Sequence, residues 1–477
     1  MIDNTQRTSD GFIDDALIDN LLTEAKTKSH DKNYVRAIIA KARQYHGLSA
    51  AEVAVLLETT DAELEAEMFA AASAVKQAIY GNRIVLFAPL YISSHCINNC
   101  TYCGYRAGND QQLRRRLTLE EIKEEVEILE SLGHKRLAVE AGEDPANCPI
   151  EYVIDSIRQI YSIKDGNGSI RRVNVNIAAT TVEEYRKLKE VEIGTYILFQ
   201  ETYHRPTYAA LHPTGPKRDY NWHTTAMERA MQAGIDDVGI GVLYGLYDHK
   251  YETVAMFLHA EHLDKTQGVG PHTISVPRIR PASGMDLTNF PHLVDDEAFK
   301  KIVAIIRLAV PYTGMILSTR ESSELRDELI RYGVSQISAG SCTGVGGYHQ
   351  VYKEQEADAP AKGLQFETGD NRSPQQVVTM LCEQGFIPSY CTACYRQGRT
   401  GDRFMSLAKS GEIQNVCLPN ALLTFKEYLL DYADPAVREI GEKTIEKHLA
   451  NIPVAATRQA AAQRLKEIET GVRDLYF

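Results

Sequence analysis

Two hydrophobic rhythms divide the chain. Over the first 80 or so residues, apolar positions recur at helical spacing, as in AAEVAVLL and AELEAEMFAAASAVKQAIY, with no strand-like alternation. Thr60, just ahead of DAELE, is expected to cap the second of these helices. From about residue 83 short β-rich runs alternate with longer amphipathic ones. Strands are predicted at 84–92, 136–140, 173–178, 196–200, 237–243, 273–278, 315–318 and 335–339. Between them lie TLEEIKEEVEILESLG, TVEEYRKLKEV, DDEAFKKIVAIIRLAV and ESSELRDELIRYG, with Thr118, Thr181 and Ser322 or Ser323 placed to cap helices. Eight strand–helix repeats predict an α/β fold, a parallel (β/α)8 TIM-type barrel, in preference to a doubly wound open sheet. In either fold functional residues are expected at the C-terminal ends of the strands. After about residue 345 the alternation stops. The charged, Gly/Pro-containing 351–374 reads as a loop or linker, and helical patterns resume from Pro374 to the end. The expected organisation is an N-terminal helical extension (1–82), the barrel (83–345) and a mostly helical C-terminal domain (346–477).

Composition narrows the function classes. Of 477 residues, 44% are hydrophobic and 24% charged, as in ordinary soluble proteins. Lys and Arg number 52 against 64 Asp and Glu, a net charge of −12, which disfavours unaided binding to nucleic acid or an anionic membrane. No apolar run approaches the roughly 20 residues of a membrane span. The start, MIDNTQRTSDGFIDD, lacks the apolar stretch of a secretory signal and is too acidic for a transit peptide, so a cytoplasmic protein is expected.

Cysteine changes the picture most. There are nine, and six fall into two triplets. Cys148, Cys342 and Cys382 stand alone and are expected to be small buried hydrophobes. Cys96, Cys100 and Cys103 lie in YISSHCINNCTYCGYR, directly after the first strand, and so in the first βα loop. Three thiolates so close in sequence can wrap one face of a soft metal centre. Zinc would need a fourth ligand, for which His95 is available. A cubane iron–sulfur cluster would instead keep one iron open to a substrate.

This loop resembles that of the radical S-adenosylmethionine (SAM) superfamily, which has this cysteine spacing and an aromatic, here Tyr102, before the third cysteine. The resemblance implies a 4Fe-4S cluster whose open iron chelates SAM, and reductive cleavage of SAM to a 5′-deoxyadenosyl radical. It also implies SAM-binding roles for Gly142 and Glu143 in AVEAGED, for Glu201 in FQETYHRP at the ribose, and for GVLYGL at the adenine.

A second triplet, Cys391, Cys394 and Cys417, lies in SYCTACYRQGRTG and QNVCLP. A structural zinc site and a second iron–sulfur cluster with an open iron both remain possible readings of the residues alone. With this triplet the chain resembles, from about residue 30 to 470, the radical SAM tyrosine lyases of FeFe-hydrogenase maturation, relatives of the 2-iminoacetate synthases. That resemblance implies cleavage of the Cα–Cβ bond of L-tyrosine to p-cresol and dehydroglycine. Dehydroglycine would become carbon monoxide and cyanide on an iron at the second cluster. A flavodoxin- or ferredoxin-type reductant and hydrogenase-maturation proteins are the implied partners. Two other functions stand beside it: a tyrosine lyase (2-iminoacetate synthase) of thiamin thiazole synthesis, not expected to carry the second triplet, and a non-catalytic iron–sulfur scaffold.

A zwitterionic substrate calls for a guanidinium at its carboxylate. Arg320, after the seventh strand, is the first candidate, with Arg278 and Arg280 after the sixth; an ion pair of Arg320 with Glu321 or a helix-start carboxylate is the alternative. His272, in GVGPHTISVPR, is similar to the histidine that holds the extra iron of the second cluster, although its place at a strand's start sits awkwardly with a site at the mouth. His259 and His262, three apart on a helix, could form a metal pair but are expected on a solvated helix face. AGSCTGVGGY is read as a barrel-closing loop in preference to an anion cradle.

Overall fold

The computed structural model describes residues 11–353 and 363–477; part of the expected 351–374 linker lies outside them. Four helices open the described chain: Asp15–Lys28, Lys32–Ala42, Ala50–Glu58 and Ala62–Tyr80. Asp61, not Thr60, caps the last, its side chain accepting from the backbone N–H groups of Glu63 and Leu64. A carboxylate there also complements the positive end of the helix.

Eight parallel strands follow: β1 (Arg83–Ser93), β2 (Arg136–Ala141), β3 (Arg172–Asn176), β4 (Tyr196–Ile197), β5 (Val238–Gly241), β6 (Thr273–Ser275), β7 (Gly314–Leu317) and β8 (Gln336–Ser338). They pair in sequence order and close through β1, which pairs with β2 and β8. This is the expected (β/α)8 barrel. Thr118, Thr181 and Ser322 cap the helices Leu119–Ser131, Val182–Glu190 and Ser323–Leu329. Several strands end earlier than their β-rich runs. β4 and β6 give way to lone bridges, Glu201 to Val242 and Tyr244 to Arg278, as the chain turns to line the mouth.

A ninth strand, β9 (Ile387–Ser389), lies within the stretch whose pattern is helical. It adds in parallel to the start of β1, with Arg83, Ile84 and Val85 facing Ile387, Pro388 and Ser389. At three residues it is too short to show a period. Its effect is large, because it carries the chain after it to the N-terminal end of the barrel. Helices Pro374–Glu383, Ile413–Asp431 and Pro435–Ala450 pack around it, and Ala455–Glu469 packs on the last two of these.

Inside the barrel the apolar filling is thin. Phe87, Ala138, Ile197 and Ile316 form one small cluster with Phe199. The main core lies between strands and helices and runs on under the N-terminal helices. No helix among the described residues is long and apolar enough to cross a membrane.

Candidate active site

The barrel has a site at each end. At the C-terminal end, a bulge between Tyr91 and Ser93 bends β1 into the first cysteine loop. That loop is tied down along its length: Ile97 N–H donates to the Glu143 carbonyl at 2.8 Å, Thr101 N–H to Leu211 at 3.0 Å, and Gly104 N–H to Gln365 at 3.2 Å. Cys96, Cys100 and Cys103 are free thiols bordering one cavity. Burial pushes Cys100 up to about 12 and Cys103 up to about 11, so thiolates here need a metal's positive charge beside them. Among the described residues no three His, Cys, Asp or Glu side chains converge tightly enough for a single metal ion. His95, the fourth ligand that zinc would need, does not border this cavity, and three thiols alone suit a cluster with an open iron better than the zinc alternative.

Tyr102 is buried, and its hydroxyl lies 2.7 Å from His212 Nε2. Since His212 Nδ1 lies 2.7 Å from the Tyr208 carbonyl, it carries the proton, and Nε2 accepts from Tyr102. Burial, with Lys217 nearby, pushes His212 down to about 3, so the ring is neutral. Nothing in its spacing marked His212.

Gly142 is required sterically. A Cβ there would stand 2.3 Å from the His95 carbonyl oxygen and 3.0 Å from the Cys96 Cβ. The Gly-Glu pair therefore wedges directly against the cysteine loop, which a simple strand-to-loop turn does not require. Glu143 accepts from Asn98 Nδ2 at 2.6 Å, and the same nitrogen lies 3.8 Å from Cys96 Sγ. Glu201 has a positive φ of 69°, an uncommon conformation for a residue with a Cβ. Its carboxylate meets Lys217 Nζ at 2.6 Å, and the Lys217 backbone N–H donates to Asn98 Oδ1 at 2.9 Å. Asn98 and Lys217 thus join the cysteine loop, Glu143 and Glu201 into one frame. Leu243 of GVLYGL borders the same cavity and packs with Cys100 and Tyr102.

Arg320 borders this cavity with its guanidinium over the Phe366 ring at 3.3 Å, and among the described residues it makes no ion pair. The expected alternative of a bond to Glu321 does not occur, because Glu321 is held by Arg278. Arg278 is therefore a correction. It is occupied by Glu321, by Asp296 at 2.8 Å and by the Val294 carbonyl at 2.8 Å, and it does not border the cavity. Arg280 does border it, with a buried Nε that has no partner. AGSCTGVGGY closes the barrel, as read. Its Gly344 bridges to Leu364, and Thr343 bonds the Phe366 carbonyl at 2.8 Å.

The second site lies at the opposite end. Cys391, Cys394 and Cys417 border a small pocket with Tyr80, Arg83, Arg136, Asp237, His272 and Arg399. The second triplet thus lies at the strand-start end of the barrel, away from the C-terminal mouth where the first triplet sits. This placement removes the awkwardness of His272, which opens β6 and so belongs at the strand-start end. His272 Nδ1 is buried without a hydrogen bond, 3.5 Å from Asp237 Oδ1, whose Oδ2 is likewise unpartnered. Burial lowers the His272 pKa, leaving a neutral imidazole. Cys417 is held low by a hydrogen bond from Cys394, with Arg83 and Arg399 close by. Three thiols, a neutral imidazole with an orphaned nitrogen and a cationic surround fit an iron–sulfur centre with an additional iron. Gln336 of β8 borders both the mouth cavity and this foot pocket.

His259 and His262 are a correction of another kind. His259 is buried against the Tyr203 hydroxyl at 2.8 Å, and His262 bonds Glu228 at 3.0 Å and stacks on Phe12. That helix face is covered by the N-terminal extension, not solvated. Cys382 is buried as expected, while Cys148 and Cys342 are half-buried.

Barrel, cysteine loop and Gly-Glu wedge together define a radical SAM enzyme, and comparison with known proteins agrees. The model of the radical SAM superfamily matches residues 90–260, and that of the biotin and thiamin synthesis associated domain matches residues 275–387. A crystal structure of HydG, a maturase of the FeFe-hydrogenase, is 61% identical, with a TM-score of 0.93 over 98% of this chain and 100% of that one. The FeFe-hydrogenase maturase HydG from Carboxydothermus hydrogenoformans is 39% identical, with a TM-score of 0.79 over 94% and 98%. The 2-iminoacetate synthase of Salmonella typhimurium is 32% identical over 317 residues, 65% of this chain and 78% of that protein. The chain belongs to the radical SAM superfamily, in the family that contains the maturase HydG and the 2-iminoacetate synthases.

Proposed function

We propose that this protein cleaves L-tyrosine to p-cresol and dehydroglycine, and converts dehydroglycine to carbon monoxide and cyanide on an iron destined for the FeFe-hydrogenase active site. The observation that carries this reading, beyond the family, is the foot pocket, where Cys391, Cys394, Cys417 and His272 meet. A lyase that released dehydroglycine for thiamin synthesis would have no use for it.

At the mouth, Cys96, Cys100 and Cys103 would hold a 4Fe-4S cluster, which with SAM supplies the 5′-deoxyadenosyl radical once a flavodoxin- or ferredoxin-type protein has reduced it. Glu143 and the backbone at Gly142 take the SAM ammonium, Glu201 the ribose, and Leu243 flanks the adenine. Arg320, free of any carboxylate of its own, takes the tyrosine carboxylate in a bidentate grip. Tyr102, buried beside Cys100, keeps water from that corner of the loop. At the foot, the second triplet and His272 hold the iron that receives the two small ligands, which hydrogenase-maturation proteins then accept.

Reduced, reconstituted protein given SAM and tyrosine should release deoxyadenosine, p-cresol and carbon monoxide. p-Cresol without carbon monoxide would support the 2-iminoacetate synthase alternative, and neither product would support the scaffold.

A further inference from the structure

Three glutamates border the mouth cavity, and two are already engaged. Glu143 accepts from Asn98, and Glu201 pairs with Lys217. The third, Glu140, stands near the end of β2, half-buried, with its carboxyl turned into the cavity. It hydrogen-bonds the Asn176 side chain at the end of β3, and among the described residues it has no ion-pair partner. Arg320 is its complement, a guanidinium in the same cavity without a carboxylate. The two sense each other electrostatically yet do not form an ion pair. A cavity that holds an acid and a guanidinium near one another but apart offers a partner to each pole of an α-amino acid.

We propose that Glu140 is a catalytic residue, the general base that removes a proton from the ammonium of tyrosine before a hydrogen atom is taken from that nitrogen. This rests on the tyrosine-lyase reading given above. One N–H bond of the ammonium breaks heterolytically; its electron pair stays on nitrogen, and the proton passes to a Glu140 carboxylate oxygen. Ammonium and carboxylate become amine and carboxylic acid, so net charge is unchanged while two buried charges disappear, which a poorly solvated cavity favours. The need is chemical. Taking a hydrogen atom from an ammonium would leave a radical cation in the site, whereas the neutral amine leaves a neutral aminyl radical.

The surroundings suit a base of matched strength. Burial raises the Glu140 carboxyl to about 8, against the opposing pull of Arg320 and the Asn176 hydrogen bond. A peptide's terminal amine titrates near 8, and the α-carboxylate of a free amino acid holds its ammonium about one unit higher, so a carboxylate raised this far accepts the proton at a cost of only about tenfold in equilibrium. The other titratable groups facing Glu140 are Tyr91 on β1 and Tyr105 in the cysteine loop, and burial raises both well above their ordinary range, so they stay protonated.

The test compares reconstituted E140Q and E140D with the natural protein. E140Q is expected to cleave SAM but, having lost the charge that faces the ammonium, to bind tyrosine more weakly by calorimetry, so products are compared at saturating tyrosine. Its ratio of p-cresol to deoxyadenosine should fall about 100-fold. Its p-cresol rate should rise about tenfold per pH unit below the ammonium's own pKa, as neutral amine accumulates, while that of the natural protein levels off above about 8. An unchanged product ratio in E140Q overturns the proposal. So does a loss confined to tyrosine affinity with full turnover at saturation, because Glu140 would then only recognise the ammonium. Iron content and the SAM-dependent change in the EPR spectrum establish that E140Q is intact. Should it fail to assemble, E140D decides: base catalysis requires its rising pH limb to move, and an unmoved limb overturns the role. If the natural protein makes no p-cresol, the tyrosine-lyase reading fails instead.

Discussion

At the scale of single residues, Gly142 shows how little freedom the mouth has. The second strand meets the cysteine loop so closely that one added methyl group would overlap the His95 carbonyl, a backbone atom that cannot swing aside. Gly142→Ala is therefore expected to lower SAM affinity by tenfold or more, roughly 1.4 kcal/mol, with a matching loss of deoxyadenosine formation at subsaturating SAM. Calorimetry on the reconstituted protein measures this, and unchanged binding would mean that the loop yields. Cys100→Ala should abolish SAM cleavage altogether, because among the described residues no cysteine beyond Cys96 and Cys103 borders that cavity to take its place. Normal deoxyadenosine formation in that variant would contradict the assignment of the cluster to this loop.

At the scale of elements, β9 matters out of proportion to its length. Three residues paired with the start of β1 place Cys391 at the foot of the barrel, far from the first triplet. Replacing Cys391 and Cys394 together by serine should therefore leave p-cresol formation in place, if slower, while carbon monoxide falls to near zero. Equal loss of both products would make the second site chiefly structural. A second element-level tie is ionic. Asp370 meets Arg326 of helix Ser323–Leu329, where both side chains are 1% exposed, and also Arg372 at 2.7 Å. Burial alone would raise the Asp370 carboxyl, but hydrogen bonds from Arg372 and the charge of Arg326 outweigh it and hold the pKa below the ordinary value. A carboxyl depressed in the folded state adds stability at pH above its unfolded value of about 4, and that stability is lost as pH falls through the lower folded value. Asp370→Asn should cost about 3–5 kcal/mol at pH 7. The difference from the natural protein should narrow in acid below pH about 4, as read from urea midpoints at both pH values.

At the scale of the whole molecule, one barrel carries a candidate site at each end, with Gln336 bordering both pockets. Chemistry at the two ends should be separable. His272→Ala is expected to keep p-cresol formation and both iron–sulfur centres. It should lower total iron and remove the infrared bands of iron-bound carbon monoxide and cyanide that appear during turnover. A neutral imidazole holds ferrous iron firmly but less tightly than a set of thiolates would, which suits an iron that must leave. Bands of full intensity in that variant would show that another group holds the iron.

Much of this was legible in the chain itself. The strand–helix alternation determined the barrel, because strand and helix periods are local consequences of backbone geometry. Cysteine spacing determined the first triplet and the pair Cys391 and Cys394, because ligands close in sequence cannot lie far apart in space, whereas Cys417, 23 positions beyond Cys394, was brought to that pair by the fold. The tertiary structure alone decided which end of the barrel each triplet occupies, since that turns on β9, whose three residues carry no periodic signal. It alone separated Arg320 from Arg278: both follow strands, and only the neighbouring Glu321 and Asp296 show that Arg278 is already bound. Asn98, His212, Lys217 and Glu140 escaped notice for the same reason. Each acts through partners distant in sequence, and such pairings exist only once the chain has closed the barrel and brought them within hydrogen-bonding or electrostatic reach.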